Sequence, residues 1–406
     1  MTKKSVDDLA IFGGEPLYVE PLHVGRPNIV DREKFLQRVN DLLDRRTLTN
    51  YGPYVQEFER RMAELVGVRH CIAVCNATMG LEAVIRALGL SGEVIAPSFT
   101  FIATAHSLQI QGIKPVFCDV DASTHNIDPD RIRECISPRT TGIVGVHVWG
   151  RACDVRALSD LANEYGLKLY FDAAHALACS YQGDMIGSFG EAEVFSFHAT
   201  KFVNSFEGGM IATNRDELAE AIRLMINFGF RGYDNVLSLG TNGKMSEVSA
   251  AMGLTNLENL PVIISKNREN YENYRERLNG FSGIKLIAYD EREQNNYQYI
   301  VVEIDEEMAG ISRDLLTQLF HAENILVRRY FYPGCHQMQP YRTLYPNAGL
   351  HLPNTERLVQ RVMTLPTGLS IDSADILTIV DLLDFILLHQ NRIRKMLFRQ
   401  SSPSGK

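Results

Sequence analysis

A chain of 406 residues, 45% hydrophobic and 22% charged, is long enough to bury one large core and a smaller one, so a two-domain globular protein is expected. Its net charge of −8 argues against nucleic acid as the main partner, because phosphate backbones are held by clustered Lys and Arg. The basic residues that do cluster, Arg392, Arg394, Lys395 and Arg399, sit beside a polar terminus and read as solvated.

Seven cysteines without a repeating spacing do not describe a disulfide framework. Cys71 and Cys75, in one expected strand, would lie about 13 Å apart at a strand's rise of about 3.3 Å per residue, too far to bridge. Reduced thiols, no apolar signal core near Met1 and no apolar run of membrane-spanning length imply a cytoplasmic home with no membrane contact.

Residues 1–30, with Gly13, Gly14, Pro16 and Pro27, read as an N-terminal arm. A helix follows with Phe35, Val39, Leu42 and Leu43 on one face; Leu48–Pro53 is a turn, and a second helix spans about Val55 to Leu65. From Cys71, short apolar runs alternate with helical segments: Cys71–Cys75, Val94–Ala96, Val116–Cys118, Ile143–Val148, Leu167–Phe171, Val194–Phe197 and Met210–Ala212. That pattern predicts an α/β domain over 31–261 with a mainly parallel sheet covered on both faces. A long helical pattern from Ser246 to Leu278 is expected to kink at Pro261 and cross into a smaller α+β domain, 262–395, ending in a flexible tail, 396–406.

In such sheets ligands sit beyond the carboxyl ends of the strands. Asp172 closes one run; a carboxylate there is costly to bury unless it meets a cation or donor, and beside a pyridine nitrogen it keeps the ring protonated, as pyridoxal phosphate chemistry requires. Helix capping is the plain alternative for such an aspartate. Lys201, beyond another run, supplies an amine that desolvation can activate. Asn76-Ala77-Thr78 opens a helical pattern after a strand, offering N-terminal amides and the Thr78 hydroxyl to a phosphate. Phe101 is placed to stack on a ring, and His175 to reach its hydroxyl. Each signal is weak singly, and their meeting at the ends of different strands carries the case.

These residues resemble the DegT/DnrJ/StrS group of fold type I pyridoxal-phosphate enzymes, the nucleotide-sugar aminotransferases, over roughly residues 10–390. The resemblance rests on Leu48–Pro53, Asn76–Thr78, Pro97–Thr104, Phe171–Ala176 and Ser196–Lys201, five blocks in the right order. It implies an aspartate-aminotransferase-like fold and pyridoxal 5′-phosphate attached to Lys201, passing through pyridoxamine 5′-phosphate. It also implies Asp172 at the pyridine nitrogen, Phe101 on the ring, Ala77, Thr78 and Ser196 at the phosphate, and His175 near the ring hydroxyl. Asn242, in Gly240–Met245, would reach a neighbouring subunit's phosphate, implying a homodimer with shared sites. That segment is not a nucleoside-triphosphate loop, which needs glycine at Ser238 and a hydroxyl residue at Met245.

The commoner family form carries tyrosine and arginine where Gly243 and Lys244 stand; with Arg329–His336, the chain is more like the branch acting on C4 of dTDP-4-keto-6-deoxyglucose. The resemblance then implies amino transfer from L-glutamate to give dTDP-4-amino-4,6-dideoxy-D-glucose, with Lys244, Tyr332 and His336 as substrate candidates and no metal. Amination at C3, another nucleotide keto-sugar, and a regulatory protein keeping the cofactor fold stay open as alternatives. Dehydratases of the same fold carry histidine in place of the lysine, so Lys201 argues against them. His198 and Glu207 are left without a role.

Overall fold

The computed structural model of the chain describes residues 3–401. Its large sheet is built from β1 (His70–Val74), β2 (Glu93–Pro97), β3 (Lys114–Cys118), β4 (Thr140–Val146), β5 (Lys168–Asp172), β6 (Glu193–Ser196) and β7 (Gly209–Thr213). The spatial order is β1-β7-β6-β5-β4-β2-β3, and β7 alone runs antiparallel to its neighbours. The apolar runs become strands because Val, Ile and Phe fill both faces: Val94, Ile95, Ala96, Ile143, Val144, Tyr170 and Phe171 are all fully enclosed.

A smaller antiparallel sheet, in the order β8 (Ile284–Leu286), β9 (Ile300–Ile304) and β10 (Val362–Leu365), forms a second core with the helices Leu260–Leu278, Arg313–Ala322 and Ser373–Ser401. Its members include Tyr271, Tyr274, Ile300, Val302, Phe320, Ile379 and Ile386. Asp119, just beyond β3, accepts from the N–H groups of Asn354 (2.9 Å) and Thr355 (2.8 Å) at the start of the helix Pro353–Arg361. A carboxylate from the large sheet thus caps a helix of the small unit, where the helix dipole favours negative charge.

Several sequence expectations change. The pattern over 246–278 is two helices, Glu247–Glu258 and Leu260–Leu278, not one kinked helix; Pro261 lies in the first turn of the second, where its missing N–H leaves no bond unmade. The N-terminal arm is partly folded: short 3-10 turns bury Val6 and Leu9 in the small core, and Leu22–His23 pairs with Ile325–Leu326. Helix Ser373–Ser401 runs into the segment expected to be tail, and 402–406 fall outside the described residues. On the helix Arg32–Arg45 only Leu42 is enclosed, and Leu43 is 61% exposed. All seven cysteines are free. Among the described residues no helix is long and apolar enough to cross a membrane, and no His/Cys/Asp/Glu group could hold a metal.

Candidate active site

Asp172 ends β5 with its carboxylate enclosed. Thr104 Oγ1 donates to one oxygen at 2.8 Å and the Ala174 N–H to the other at 3.1 Å. Burial pushes this carboxyl up from its ordinary value, and those donors, together with the charges of Lys201 and His147, act against the shift. Thr104 is itself bonded to the Thr100 hydroxyl (3.1 Å), and the His147 N–H donates to the Asp172 carbonyl (3.1 Å). The side chain is held by groups that favour its charged form.

Lys201 follows β6 after a tight turn in which its N–H donates to the His198 carbonyl (2.8 Å). Its Nζ donates to the Tyr299 hydroxyl at 3.2 Å. Burial lowers its pKa to about 8, against the opposing pull of Asp172, so free amine is available near neutral pH. His175 is held neutral, its pKa pushed well down by burial and then by the Lys201 charge. The Trp149 N–H donates to its Nδ1 (3.3 Å), which leaves the ring proton on Nε2 as a donor.

Opposite lies the helix Ala77–Ala87, capped by Asn76, whose side chain accepts from the Met79 N–H at 2.8 Å. Gly209, the first residue of β7, pairs with Val74 on one side and Ser196 on the other, which sets Ser196 beside the helix N-terminus. A Cβ on Gly209 would lie 2.7 Å from the Ala77 nitrogen, so only glycine leaves the strand and the helix end this close. Ala77, Thr78, Phe101, Asp172, His175, Ser196 and Lys201 all line one cavity of about 320 Å³. Phe101, just before the helix Ile102–Gln109, is 57% exposed and therefore available to stack on a ligand.

The family profile of the DegT/DnrJ/EryC1/StrS aminotransferases matches residues 30–384. The chain belongs to this aminotransferase family. A protein of Shigella dysenteriae named dTDP-4-amino-4,6-dideoxy-D-glucose transaminase is 37% identical to it, over 91% of this chain and 98% of the relative. A protein of the same name from Escherichia coli is 33% identical, over 89% and 97%. Among solved structures, DesI in the presence of its TDP-sugar product matches with a TM-score of 0.92 and 48% identity, covering 97% of this chain and 99% of the other.

As an aminotransferase of this family the protein depends on pyridoxal phosphate. Its cavity has the chemistry for that cofactor: a desolvated lysine, an enclosed carboxylate, a neutral imidazole donor, and a helix end whose approach to β7 any side chain at Gly209 would block.

The structure does not bring the remaining candidates to this cavity. Asn242 is exposed, bridged to Asn227, and Lys244 reaches back to the Asn227 side chain (2.8 Å) beneath Phe228. The Tyr332 ring packs under Arg329 and Arg313, at 4.6 and 5.3 Å. His336 is buried with both ring nitrogens engaged, Nδ1 with Ser98 Oγ (2.7 Å) and Nε2 with Glu356 (2.8 Å), so in this chain it ties the two units together. His198 and Glu207 do line the cavity, 3.6 Å apart. Sequence reasoning missed Arg328, Tyr330 and Phe331 on the cavity wall, and Thr104 and Tyr299 behind it. Thr104 lay inside one quoted block and Tyr330 and Phe331 inside another, Arg329–His336, without being singled out; Arg328 and Tyr299 carry no local signal, because their chain neighbours say nothing of the opposite domain.

Proposed function

We propose that the protein transfers the amino group of L-glutamate to C4 of dTDP-4-keto-6-deoxy-D-glucose, giving dTDP-4-amino-4,6-dideoxy-D-glucose and 2-oxoglutarate. The observation that carries this reading is the Lys201 amine and the Asp172 carboxylate on one cavity, in a chain 37% identical to a transaminase named for that product. Bound pyridoxal phosphate supplies the electron sink that lets the Cα proton leave. Lys201 as the free base would take that proton and hand it to the cofactor within the first half of the cycle, and in the second half would carry a proton back to the sugar carbon, acting as general base and then general acid in each half. Asp172 would keep the pyridine nitrogen protonated, and His175 Nε2–H would donate to the ring hydroxyl. Phe101 would cover the ring face, while Ala77, Thr78 and Ser196 would bind the phosphate.

A homodimer with shared sites belongs to the same proposal. Asn242 is exposed and away from its own cavity, and the neighbouring surface carries Phe228, Leu237 and Leu239, apolar side chains that water disfavours. Asn242 of one protomer then faces the phosphate of the other. Lys244, Tyr332 and His336 are assigned no direct contact within one chain; Lys244, beside Asn242, is placed to meet substrate across the dimer. Cytoplasmic residence is supported by the seven free cysteines, five of them enclosed.

The deciding experiment incubates the protein with pyridoxal phosphate, L-glutamate and a panel of nucleotide keto-sugars and locates the new amine by NMR. An equatorial amine at C4 of the dTDP sugar is expected, with 2-oxoglutarate released in equal amount; an axial amine at C4, an amine at C3, or preference for another nucleotide overturns the assignment.

A further inference from the structure

We propose that Tyr299 is a positioning residue for the Lys201 amine, a hydroxyl carried on the small domain that aims the nucleophilic nitrogen into the cavity. Among the described residues the bond from Lys201 Nζ to Tyr299, at 3.2 Å, is the only hydrogen bond that the amine makes. A lysine stem has several rotatable bonds, and desolvation makes its nitrogen reactive without choosing a direction for it. Tyr299 supplies that direction.

Its own position is over-determined. The ring is 7% exposed and lies 4.5 Å from His175 and 5.4 Å from Trp149 between ring centres. Its N–H donates to the Tyr289 hydroxyl (3.2 Å), which in turn donates to the Tyr299 carbonyl (3.0 Å). Tyr299 directly precedes β9, so its hydroxyl moves only with the small sheet. Burial keeps that hydroxyl protonated, and a neutral hydroxyl accepts from an ammonium and donates to a free amine. It therefore holds Lys201 in both protonation states that the reaction needs.

The inference rests on the cofactor and not on the substrate assignment, so it is tested without donor or sugar. Cofactor-free protein is mixed with pyridoxal phosphate and capture is followed by absorbance. In this step the Nζ lone pair bonds to the aldehyde carbon, and the aldehyde oxygen leaves as water with the two amine protons. Tyr299→Phe removes one oxygen and keeps the ring. We expect the saturating rate of capture to fall about tenfold or more, as for a misplaced reacting group. The concentration giving half-maximal rate and the thermal midpoint are expected to stay at wild-type values. A Tyr299→Phe rate within twofold of wild type overturns the proposal. So does a rate that falls only together with the thermal midpoint, which would assign Tyr299 to packing. Wild-type protein that captures no aldehyde would overturn the cofactor assignment and this inference together.

Discussion

The active-site cavity has two walls of different origin. One is made by the ends of β1, β5, β6 and β7 in the large sheet, where Ala77, Thr78, Asp172, Ser196 and Lys201 each follow or end a strand. The other comes from the small domain, where Arg328, Tyr330 and Phe331 lie on an irregular segment and Tyr299 leads into β9. The first wall is specified by local chain geometry, since a strand end exposes its polar residues wherever the sheet goes. The second depends on how two cores dock, through contacts such as Asp119 on the Asn354 and Thr355 amides and His336 between Ser98 and Glu356. Chemistry is concentrated on the first wall; aiming and enclosure belong to the second.

Substitutions can break or sharpen that division. The largest effect is expected at Lys201→Ala, with loss of the cofactor's protein-bound absorbance and a fall in turnover of about 10³-fold or more, the range of a lost general base. Turnover near wild type in that variant would falsify the assignment of the first wall. Asp172→Asn keeps the shape and removes the charge, so kcat should fall about 10²-fold or more while pyridoxal phosphate still binds, as equilibrium dialysis would reveal. Gly209→Ala drives a Cβ toward the Ala77 nitrogen. Cofactor affinity is expected to drop about tenfold, equivalent to about 1.4 kcal/mol, with a smaller change in kcat once saturated.

Where the two cores dock, His336→Gln should act on stability. It takes a partner from Ser98 and from Glu356, and a chemical melt should register about 1–3 kcal/mol, with kcat for the folded, saturated enzyme little changed. A loss of kcat without a loss of stability would move His336 back among the substrate contacts. The smallest effect is a pH profile. Because burial lowers the Lys201 pKa to about 8 from 10.5, the rate of cofactor capture should rise with pH through a midpoint at about 8. A midpoint near the ordinary lysine value of 10.5 would mean that the amine is solvated.

Legibility in the sequence follows the same line. The strands were readable as runs of Val, Ile and Phe, and Asp172, Lys201 and Ser196 were readable as the polar residues that end or follow them. Thr104 was visible as part of a block, but its bond to Asp172 spans 68 residues, and nothing near Thr104 announces it. Pro261 misled for a local reason, since a proline breaks a helix in its interior and begins one in its first turn, and periodicity alone does not say which. Leu43 read as part of one apolar helix face with Phe35, Val39 and Leu42, yet Leu42 is enclosed while Leu43 is 61% exposed.

By itself the sequence determined the alternating architecture, the lysine and the carboxylate, because periodicity and strand-end chemistry act over a few residues. Only the tertiary structure decided that Gly209 clears the helix end beside Ser196, that His336 joins Ser98 to Glu356, and that Tyr299 meets Lys201. Those outcomes depend on distances between segments up to 238 residues apart in the chain, set by the packing of two cores and by no neighbour in sequence.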